Sequence, residues 1–487
     1  MLKKLLFNFY DLEENLKFKL FLLLLIFSQI LVFLFLQKKL FLNSPDLLSA
    51  DAFSFYNYNY SNLNNFLGQY RSFGGPLIIE VYKIFSEDLK YWGHFNFFFF
   101  SISLIFLFYS LNKFKIDIIF SFFFVIGVLG STKLWYYFSY WSEVLSVSFI
   151  IITFSFYLLS HKKRNFLFYF LFSLLLFYTY QIRPLFVVYV VAFIFYEIYI
   201  IKFKEKKKLN FRNSKLILLS IFPLILFLLF RFLITGHLGI APYIGAHLGA
   251  HSLFFLDKNN THEYSYTDLK FTNNIAHRKS KQEYPCNLEL SELKKLKQDH
   301  YTKCYTENTM SLLLEMIKHR EKKEPFPSND SRNFNAWKYV KTLDKFFMSI
   351  SNYNEIDSSL KNFSVEILKY NLNDFFYIFL ENIKRGYNFQ IVSNKNLIFI
   401  YTLIIIIICI YGKLSEQKNK QIIKFSYKNN DILLFFILTN LISIILLSVI
   451  HIPKLRLMSV QGIFFIPVIF SYLISNIINY YLEKKKT

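Results

Sequence analysis

Charge is scarce in the long apolar stretches of this 487-residue sequence, although 18% of its residues are charged. Hydrophobic residues make up 54% of the chain and include 62 phenylalanines, which is more apolar surface than one soluble core buries. Because an uncompensated charge at the centre of a bilayer is costly, membrane proteins collect their charges between the spans. The pattern excludes an ordinary soluble protein and predicts an all-α integral membrane protein.

The sequence also lacks an internal repeat, a cleavable leader and a surplus of cysteine. No fixed period recurs, which excludes a repeat architecture. The first apolar stretch is longer than a signal-peptide core and no small-residue cleavage site follows it, so we expect an anchor. Of the three cysteines, Cys409 lies in an apolar run, whereas Cys286 and Cys304 share one large loop and either form a disulfide or remain separate thiols.

The net charge of +23 comes from lysine-rich runs that lie beside the apolar segments. In a soluble protein such a charge would indicate nucleic acid, but lysines near anionic lipid headgroups explain these runs. We therefore exclude nucleic acid as a partner and expect membrane lipid.

Segment length and flanking charge define the spans. A bilayer core needs about 20 apolar residues per helix. The sequence predicts about ten spans, at residues 18–37, 95–111, 116–132, 143–160, 166–182, 185–201, 216–234, 396–412, 431–450 and 462–481. With a cytoplasmic N-terminus every cytoplasmic loop is basic, so the positive-inside rule predicts that both termini are cytoplasmic. The opposite side is called the outer side below.

These spans divide the chain into three parts. They are an N-terminal transmembrane module at 1–234 with a first outer loop at 38–94, a large outer loop at 235–395, and a C-terminal transmembrane module at 396–487. Loops this long usually carry function. Helix-like stretches at 291–300 and 360–385 indicate a small soluble subdomain in the large loop.

Most candidate functional side chains are predicted on the outer side. Asp51 lies near the membrane surface among aromatic residues, where a partly desolvated carboxylate is suited to act as a general base; an N-cap or a solvated loop acid is the structural alternative. Glu143 begins a span, where an acid requires a partner or a ligand. The remaining acid is Asp46, and the cations suited to phosphate are Arg71, Arg183, Arg231, Lys454 and Arg456.

Two further patterns have a structural alternative. Gly74, Gly75 and Pro76 precede an amphipathic run from Leu77 to Phe85, which predicts a turn into a helix lying in the membrane interface; the structural alternative is that the glycine pair only forms the turn. The spacing of His247 and His251 suits a metal on a helix, but no carboxylate or cysteine stands in step with them. We therefore predict no metal site there.

The order of these elements carries a resemblance. It comprises Asp51 after the first span, then Arg71, Gly74 and Pro76, then Ser142 and Glu143, then Arg183 and Pro184, then Arg231, Thr235 and Gly236, and finally Arg456 before Pro467. Over most of its length the chain thereby resembles the GT-C superfamily of integral membrane glycosyltransferases, which take a sugar from a polyprenyl-phosphate carrier on the non-cytoplasmic side.

The resemblance implies a GT-C-like fold and inverting transfer of a sugar from a polyprenyl-phosphate-linked donor to a glycan, lipid or protein acceptor. Asp51 would accept the proton of the acceptor hydroxyl, and Arg183, Arg231 and Arg456 would stabilise the departing lipid phosphate. Asp46 and Glu143 would be acceptor-binding or structural acids. The chain lacks the Asp-Asp or Asp-x-Asp motif common in the superfamily, which leaves a divalent cation, Mg²⁺ or Mn²⁺, open.

Other functions share some of these features. An O-antigen polymerase or ligase would also have many spans, a large outer loop and basic residues. A lipid or polysaccharide transporter should place paired ionisable residues or broken helices at mid-membrane, and the sequence indicates neither. A membrane scaffold is the third alternative. Abundant Phe, Ile, Lys and Asn favour an AT-rich coding sequence, and hence a bacterial inner membrane.

Overall fold

The structure is a computed structural model. It describes residues 13–40, 55–69, 72–86, 89–131, 142–163, 166–204, 206, 215–240, 244–256, 275, 298–321, 353–413, 427–450 and 462–483. Within these ranges all regular structure is helical and no strand occurs.

Sixteen α-helices form the described part of the chain. In chain order they are α1 Glu14–Leu40, α2 Leu63–Gly68, α3 Gly74–Phe85, α4 Trp92–Lys113, α5 Ile118–Leu129, α6 Glu143–Lys163, α7 Phe166–Ile182, α8 Val187–Tyr199, α9 Lys215–Thr235, α10 Ile244–Ser252, α11 Gln298–Glu321, α12 Tyr353–Tyr370, α13 Leu372–Ser393, α14 Lys395–Lys413, α15 Tyr427–Ile450 and α16 Phe465–Glu483.

Six of these helices are long and apolar enough to cross a membrane, namely α1, α4, α6, α8 with its flanking turns, α9 and α15. The pair α13 and α14 adds a seventh if it is one span bent by 64°. These helices are those of a multi-pass membrane protein. Each predicted span overlaps an apolar helix, but α5 has 12 residues and is about 18 Å long, against a bilayer core of about 30 Å. Ten crossings therefore remain a prediction.

Helix α6 is the most buried of the six candidate spans, whereas α1 and α9 are the least buried. Small polar residues line α6: the hydroxyls of Ser148, Thr153 and Ser155 each donate to the carbonyl four residues earlier. Such side chains satisfy their own polar atoms and let neighbouring helices approach closely. Helix α6 thus packs against both α4 and α7.

The amphipathic run in the first outer loop is helical, as predicted. Helix α3 buries Ile78, Ile79 and Tyr82 against the bundle and exposes a second apolar face formed by Leu77, Val81, Ile84 and Phe85. The Gly-Gly-Pro stretch is the first turn of this helix rather than a turn that precedes it. Proline is tolerated there because the first N–H groups of a helix have no intrahelical partner. The exposed apolar face suits a helix lying in the membrane interface.

The described part of the large outer loop is helical. Helix α10 packs on α11 and α12, and both α10 and α13 reach α15. The stretch predicted as one helix at 360–385 is divided at Asn371, whose side chain donates to the Ile367 carbonyl at 2.8 Å and so competes with the helical backbone pattern. Asn394 separates α13 from α14 in the same way, with a hydrogen bond of 2.9 Å to the Gln390 carbonyl.

The cysteines differ in state. Cys304 in α11 is disulfide-bonded, whereas Cys409 in α14 is free. Cys286, the remaining cysteine of the sequence, lies outside the described residues.

Candidate functional site

Three of the eight predicted site residues lie in the described part of the chain: Glu143, Arg183 and Arg231. The other five, Asp46, Asp51, Arg71, Lys454 and Arg456, lie outside it. The three described side chains occupy the predicted outer ends of α6, α7 and α9, and residues of the first outer loop pack beside them.

Glu143 and Arg183 form a buried ion pair. Arg183 Nη1 lies 2.7 Å from Glu143 Oε1, and the two side chains are 13% and 3% exposed, respectively. Arg183 also donates to Ser142 Oγ at 3.3 Å. Glu143 occupies the first turn of α6, where the helix dipole favours a negative charge. The partner that Glu143 requires is thus Arg183, and the guanidinium is already matched by a carboxylate.

The turn between α7 and α8 fixes the position of Arg183. The residue is extended, with φ −145° and ψ 108°, because Pro184 follows it and disfavours the helical conformation. Its N–H still donates to the Thr179 carbonyl at 3.2 Å. The Arg-Pro pair seen in the sequence therefore ends α7 and holds the arginine next to Glu143.

The first outer loop reaches this pair through Gly74. A Cβ atom on Gly74 would lie 2.5 Å from the backbone of both Gln181 and Ile182, so only glycine allows α3 to begin against the end of α7. Tyr178 fixes the contact by donating to the Gly74 carbonyl at 2.6 Å. The start of α3 thus lies directly beside the residues that precede Arg183.

The segment that follows Asp51 is anchored at the same place. Phe55 is buried in an apolar cluster with Leu145 and Ile182, neighbours in sequence of Glu143 and Arg183. Its ring lies against Gly75. Asp51 itself lies outside the described residues, four positions before Phe55 in the sequence.

Arg231 is buried differently. It lies on the one buried stripe of α9, with Leu216, Ser220 and Phe227, and is 2% exposed. Its Nη1 donates to the Gly239 carbonyl at 2.7 Å, whereas its Nε has no hydrogen-bond partner among the described residues. No described carboxylate forms a salt bridge with it, in contrast to Arg183.

The Thr-Gly sequence at the end of α9 makes the Gly239 contact possible. Gly236 has a φ of +69°, a left-handed conformation that ends a helix and reverses the chain. Its N–H donates to the Phe232 carbonyl at 2.8 Å, and the Thr235 hydroxyl donates to the Arg231 carbonyl at 2.8 Å. The chain thereby returns over the arginine.

Aromatic residues connect Arg231 to the first outer loop. The Phe73 ring contacts both Phe177 of α7 and Phe227 of α9, and it also packs on Phe66. The Tyr58 hydroxyl donates to the Phe66 carbonyl at 2.5 Å. Burial raises the pKa of Tyr58 and the charge of Arg231 lowers it, so Tyr58 is a neutral neighbour of the guanidinium.

A carboxylate and a histidine that the sequence analysis did not single out also lie near Arg231. Asp357 of α12 accepts from the Gly245 N–H at 2.8 Å. Burial raises the pKa of Asp357 to about 6, against the lowering effects of the Gly245 and Ala246 N–H groups, Lys361 and Arg231. Burial, Arg231 and Lys361 together lower the pKa of His237 to about 4. At neutral pH the histidine is therefore uncharged beside Arg231.

His247 and His251 pack against an aromatic residue of α11. Tyr305 donates to the His247 carbonyl at 3.0 Å, and the His251 ring centroid lies 5.1 Å from that of Tyr305. Among the described residues no group of three His, Cys, Asp or Glu side chains converges to hold a metal ion.

A second polar region lies at the opposite, predicted cytoplasmic ends of the helices. Glu197 accepts from His161 Nε2 at 2.5 Å and from the Tyr157 hydroxyl. Asp117 accepts from Ser475 at 2.7 Å. Glu197 is an acid inside the predicted span 185–201, which is the signal for this region in the sequence, and it is not among the predicted site residues. These groups are satisfied by one another and tie the helices together.

No protein-family model, curated protein or solved structure matches this chain.

Proposed function

We propose that this chain is a membrane glycosyltransferase, which moves a sugar from a polyprenyl-phosphate carrier to a glycan, lipid or protein acceptor on the non-cytoplasmic face, with inversion. The proposal includes a GT-C-like fold of about ten spans with both termini cytoplasmic, in a bacterial inner membrane. It leaves a divalent cation, Mg²⁺ or Mn²⁺, open.

The observation that supports the proposal most is Arg231. A buried guanidinium is costly unless an anion matches it. No described carboxylate lies within salt-bridge distance of Arg231, in contrast to Arg183, and Asp357 acts on it only as a more distant charge. A phosphate ester supplies that anion, because its oxygens accept several N–H bonds at once. The exposed apolar side chains of α9, including Phe230 and Phe232, flank the buried stripe that carries Arg231 and offer a surface for a lipid chain.

The reaction requires a base and a stabilised leaving group. The acceptor hydroxyl gives its proton to a carboxylate, its oxygen attacks the anomeric carbon, and the bond from that carbon to the phosphate oxygen breaks. The electron pair leaves with the lipid phosphate, whose negative charge Arg231 stabilises. Asp51 is the proposed base, and Arg456, Lys454 and Arg71 are further proposed phosphate ligands.

Arg183 and Glu143 have a supporting role in this proposal. Their ion pair holds the start of α6 against the turn between α7 and α8. Gly74 and Phe55 then dock the first outer loop on that turn. The pair therefore positions the segment that begins at Phe55. Asp46 and Glu143 remain proposed as acceptor-binding or structural acids.

The test uses the full-length protein in lipid nanodiscs with synthetic farnesyl-phosphate-linked hexoses and pentoses, and measures the farnesyl phosphate released by mass spectrometry. We expect release that depends on an added glycan acceptor. The Asp51→Asn protein should lose about 10²- to 10⁴-fold in rate. The Asp374→Asn protein is the matched control, because Asp374 is an exposed acid on α13.

Absence of release with every donor, from a protein that binds farnesyl phosphate, would refute glycosyl transfer. Full activity of the Asp51→Asn protein would remove Asp51 as the base. Movement of an intact donor across sealed vesicles, without loss of its sugar, would assign the protein to the transporters instead. The 64° bend between α13 and α14 does not favour that outcome, since α13 carries Glu381, Lys384 and Arg385 and suits the membrane surface rather than its middle.

A further inference from the structure

Helices α7 and α9 pack side by side and run in the same direction. The Ser173 hydroxyl donates to the Leu219 carbonyl at 2.8 Å. One turn later on α7, the ring of Phe177 meets that of Phe227, with 5.7 Å between their centroids. Residue numbers thus rise together along the two helices toward the predicted outer side.

One helical turn further toward the predicted outer side, the facing surfaces of α7 and α9 each carry a polar residue. Residues four apart lie on the same helix face, about 6 Å further along the axis. Gln181 follows Phe177 and Arg231 follows Phe227 at this spacing. The Phe73 ring contacts both phenylalanines. It therefore lies about one helical turn before the two polar residues.

Both polar side chains are buried and incompletely satisfied. Gln181 is 0% exposed, and neither its amide nitrogen nor its amide oxygen has a hydrogen-bond partner among the described residues. Arg231 is 2% exposed and its Nε also lacks a described partner. Buried polar atoms are nearly always paired, so unpaired ones indicate a ligand or a water that satisfies them.

The chemistry of the two groups defines what would satisfy them. The guanidinium offers N–H donors and a positive charge, and the amide offers two further donors and one acceptor. A phosphate ester that carries a hydroxyl-bearing group fits this set: its oxygens accept from both side chains, and a neighbouring hydroxyl donates to the amide oxygen. Arg183 is less suited to the anion, because Glu143 already lies 2.7 Å from it.

We infer that Gln181 is a ligand-contacting residue, which binds the phosphate of a lipid-linked phosphate together with Arg231. The inference rests on the proposed function, and it adds a residue that the sequence analysis did not select. It also divides the arginines by role: Arg231 binds the ligand with Gln181, and Arg183 is a positioning residue. A glutamine that instead served only to pack α7 against α9 would be stabilising in the unliganded protein.

The experiment measures equilibrium binding of radiolabelled farnesyl phosphate to the full-length protein in phosphatidylcholine nanodiscs, with thermal unfolding of the same unliganded samples. We expect Gln181→Leu to weaken binding about 10- to 100-fold, as the loss of a hydrogen bond to a charged group does, and to leave the unfolding temperature unchanged or raised. Arg231→Met should weaken binding by more than about 100-fold. Inorganic phosphate at equal concentration should compete poorly, because it lacks the lipid chain.

Thr179→Val is the matched control. Thr179 is also buried on α7, but its hydroxyl faces Thr153 of α6 at 3.3 Å. This variant should bind farnesyl phosphate as the wild type does. If Gln181→Leu fails to fold, Gln181→Met tests the same loss of the amide with an unbranched side chain.

Several results would overturn the inference. They are wild-type affinity in the Gln181 variants, a lowered unfolding temperature with unchanged affinity, and equal competition by inorganic phosphate. Loss of binding in the Gln181 variants without any sugar release by the wild type would retain the inference and refute glycosyl transfer. Sugar release that Gln181→Leu does not alter would retain glycosyl transfer and refute the inference about Gln181.

Discussion

Two arginines at the ends of neighbouring helices are buried in different surroundings. Arg183 has a carboxylate at 2.7 Å, whereas Arg231 has a backbone carbonyl at 2.7 Å and interacts with Tyr58 and Asp357 only as charges without a salt bridge. The cost of desolvating Arg183 is therefore offset within the protein. For Arg231 the offset is incomplete, which makes it the better candidate for an anionic ligand.

Removal of one member of the Glu143 and Arg183 pair should be more harmful than removal of both. Glu143→Gln or Arg183→Met leaves an uncompensated buried charge, and we expect a loss of about 3–5 kcal/mol in unfolding free energy. The double variant should recover most of this loss. Thermal or denaturant unfolding of the four proteins in micelles measures the coupling.

The control for this cycle is Glu80→Gln. Glu80 lies 2.7 Å from Lys83 but its side chain is 41% exposed, so solvent screens the pair and the loss should not exceed about 1 kcal/mol. Additive losses in the Glu143 and Arg183 double variant would show that the two residues act independently.

Asp357 and His237 should give pH dependences of opposite sign. The pKa of Asp357 rises from 3.8 to about 6 on folding, so its contribution to stability is present below pH 3.8 and is lost as pH rises to about 6. The pKa of His237 falls from 6.5 to about 4, so its contribution is present above pH 6.5 and is lost as pH falls to about 4. The two effects oppose each other over nearly the same window.

Single variants should separate the two contributions. Each one changes the unfolding free energy by at most about 1.4 kcal/mol per pH unit. Relative to the wild type, the stability of Asp357→Asn should rise with pH between about 4 and 6, and that of His237→Gln should fall. Thermal unfolding at several pH values measures both differences. Parallel curves for the three proteins would contradict the assignment.

Sequence reasoning at this scale succeeded where the environment is local. Glu143 at the start of a span needed a partner or a ligand, and Arg183, in the turn after α7, is that partner. It failed for Asp357, because the N–H that this carboxylate accepts from is 112 residues away. Gln181 was missed because a neutral amide inside an apolar run gives no charge signal.

Glycine determines how the first outer loop joins the bundle. At Gly74 the neighbouring atoms are backbone atoms of α7, at 2.5 Å from the position of a Cβ, and backbone cannot move aside as a flexible side chain can. The sequence offered a turn as the alternative explanation for this glycine. The structure instead places it inside a helix, at a close approach of two elements.

Gly74→Ala should therefore separate α3 from α7. We expect an unfolding free energy lower by about 1–3 kcal/mol, the usual cost of overpacking, and faster hydrogen exchange in α3. Gly68→Ala is the matched control, since the nearest atom to its Cβ would be Thr235 Cγ2 at 3.9 Å. There the alanine should be neutral or stabilising. Equal behaviour of the two variants would show that the approach at Gly74 is not tight.

At the scale of elements, apolar runs located the helices and local side-chain chemistry set their ends. The predicted spans fall on helices, because a single apolar segment that crosses lipid can satisfy all its backbone hydrogen bonds internally only as a helix. The ends were less accurate. The side chains of Asn371 and Asn394 interrupt helices by donating hydrogen bonds to carbonyls four residues earlier. The sequence alone does not predict which rotamer such an asparagine adopts, and therefore does not predict the interruption.

For the whole molecule, the predicted orientation stays a prediction, and the state of the cysteines bears on it. Cys304, in the loop assigned to the outer side, is disulfide-bonded, and disulfides persist in oxidising compartments. Cys409, within an apolar helix, is free. This signal is independent of the lysine distribution from which the orientation was predicted.

Cysteine labelling tests that orientation directly. In a Cys409→Ser background, a membrane-impermeant maleimide should label Asn373→Cys in intact cells, and should label Lys113→Cys only after permeabilisation; both positions are exposed. The expected contrast is at least about tenfold, because an intact bilayer excludes charged reagents. The reverse pattern would put Arg231 and Glu143 on the cytoplasmic side. A sugar donor presented on the outer face could then not reach them, and the proposed function would fail even if the phosphate site between α7 and α9 were correct.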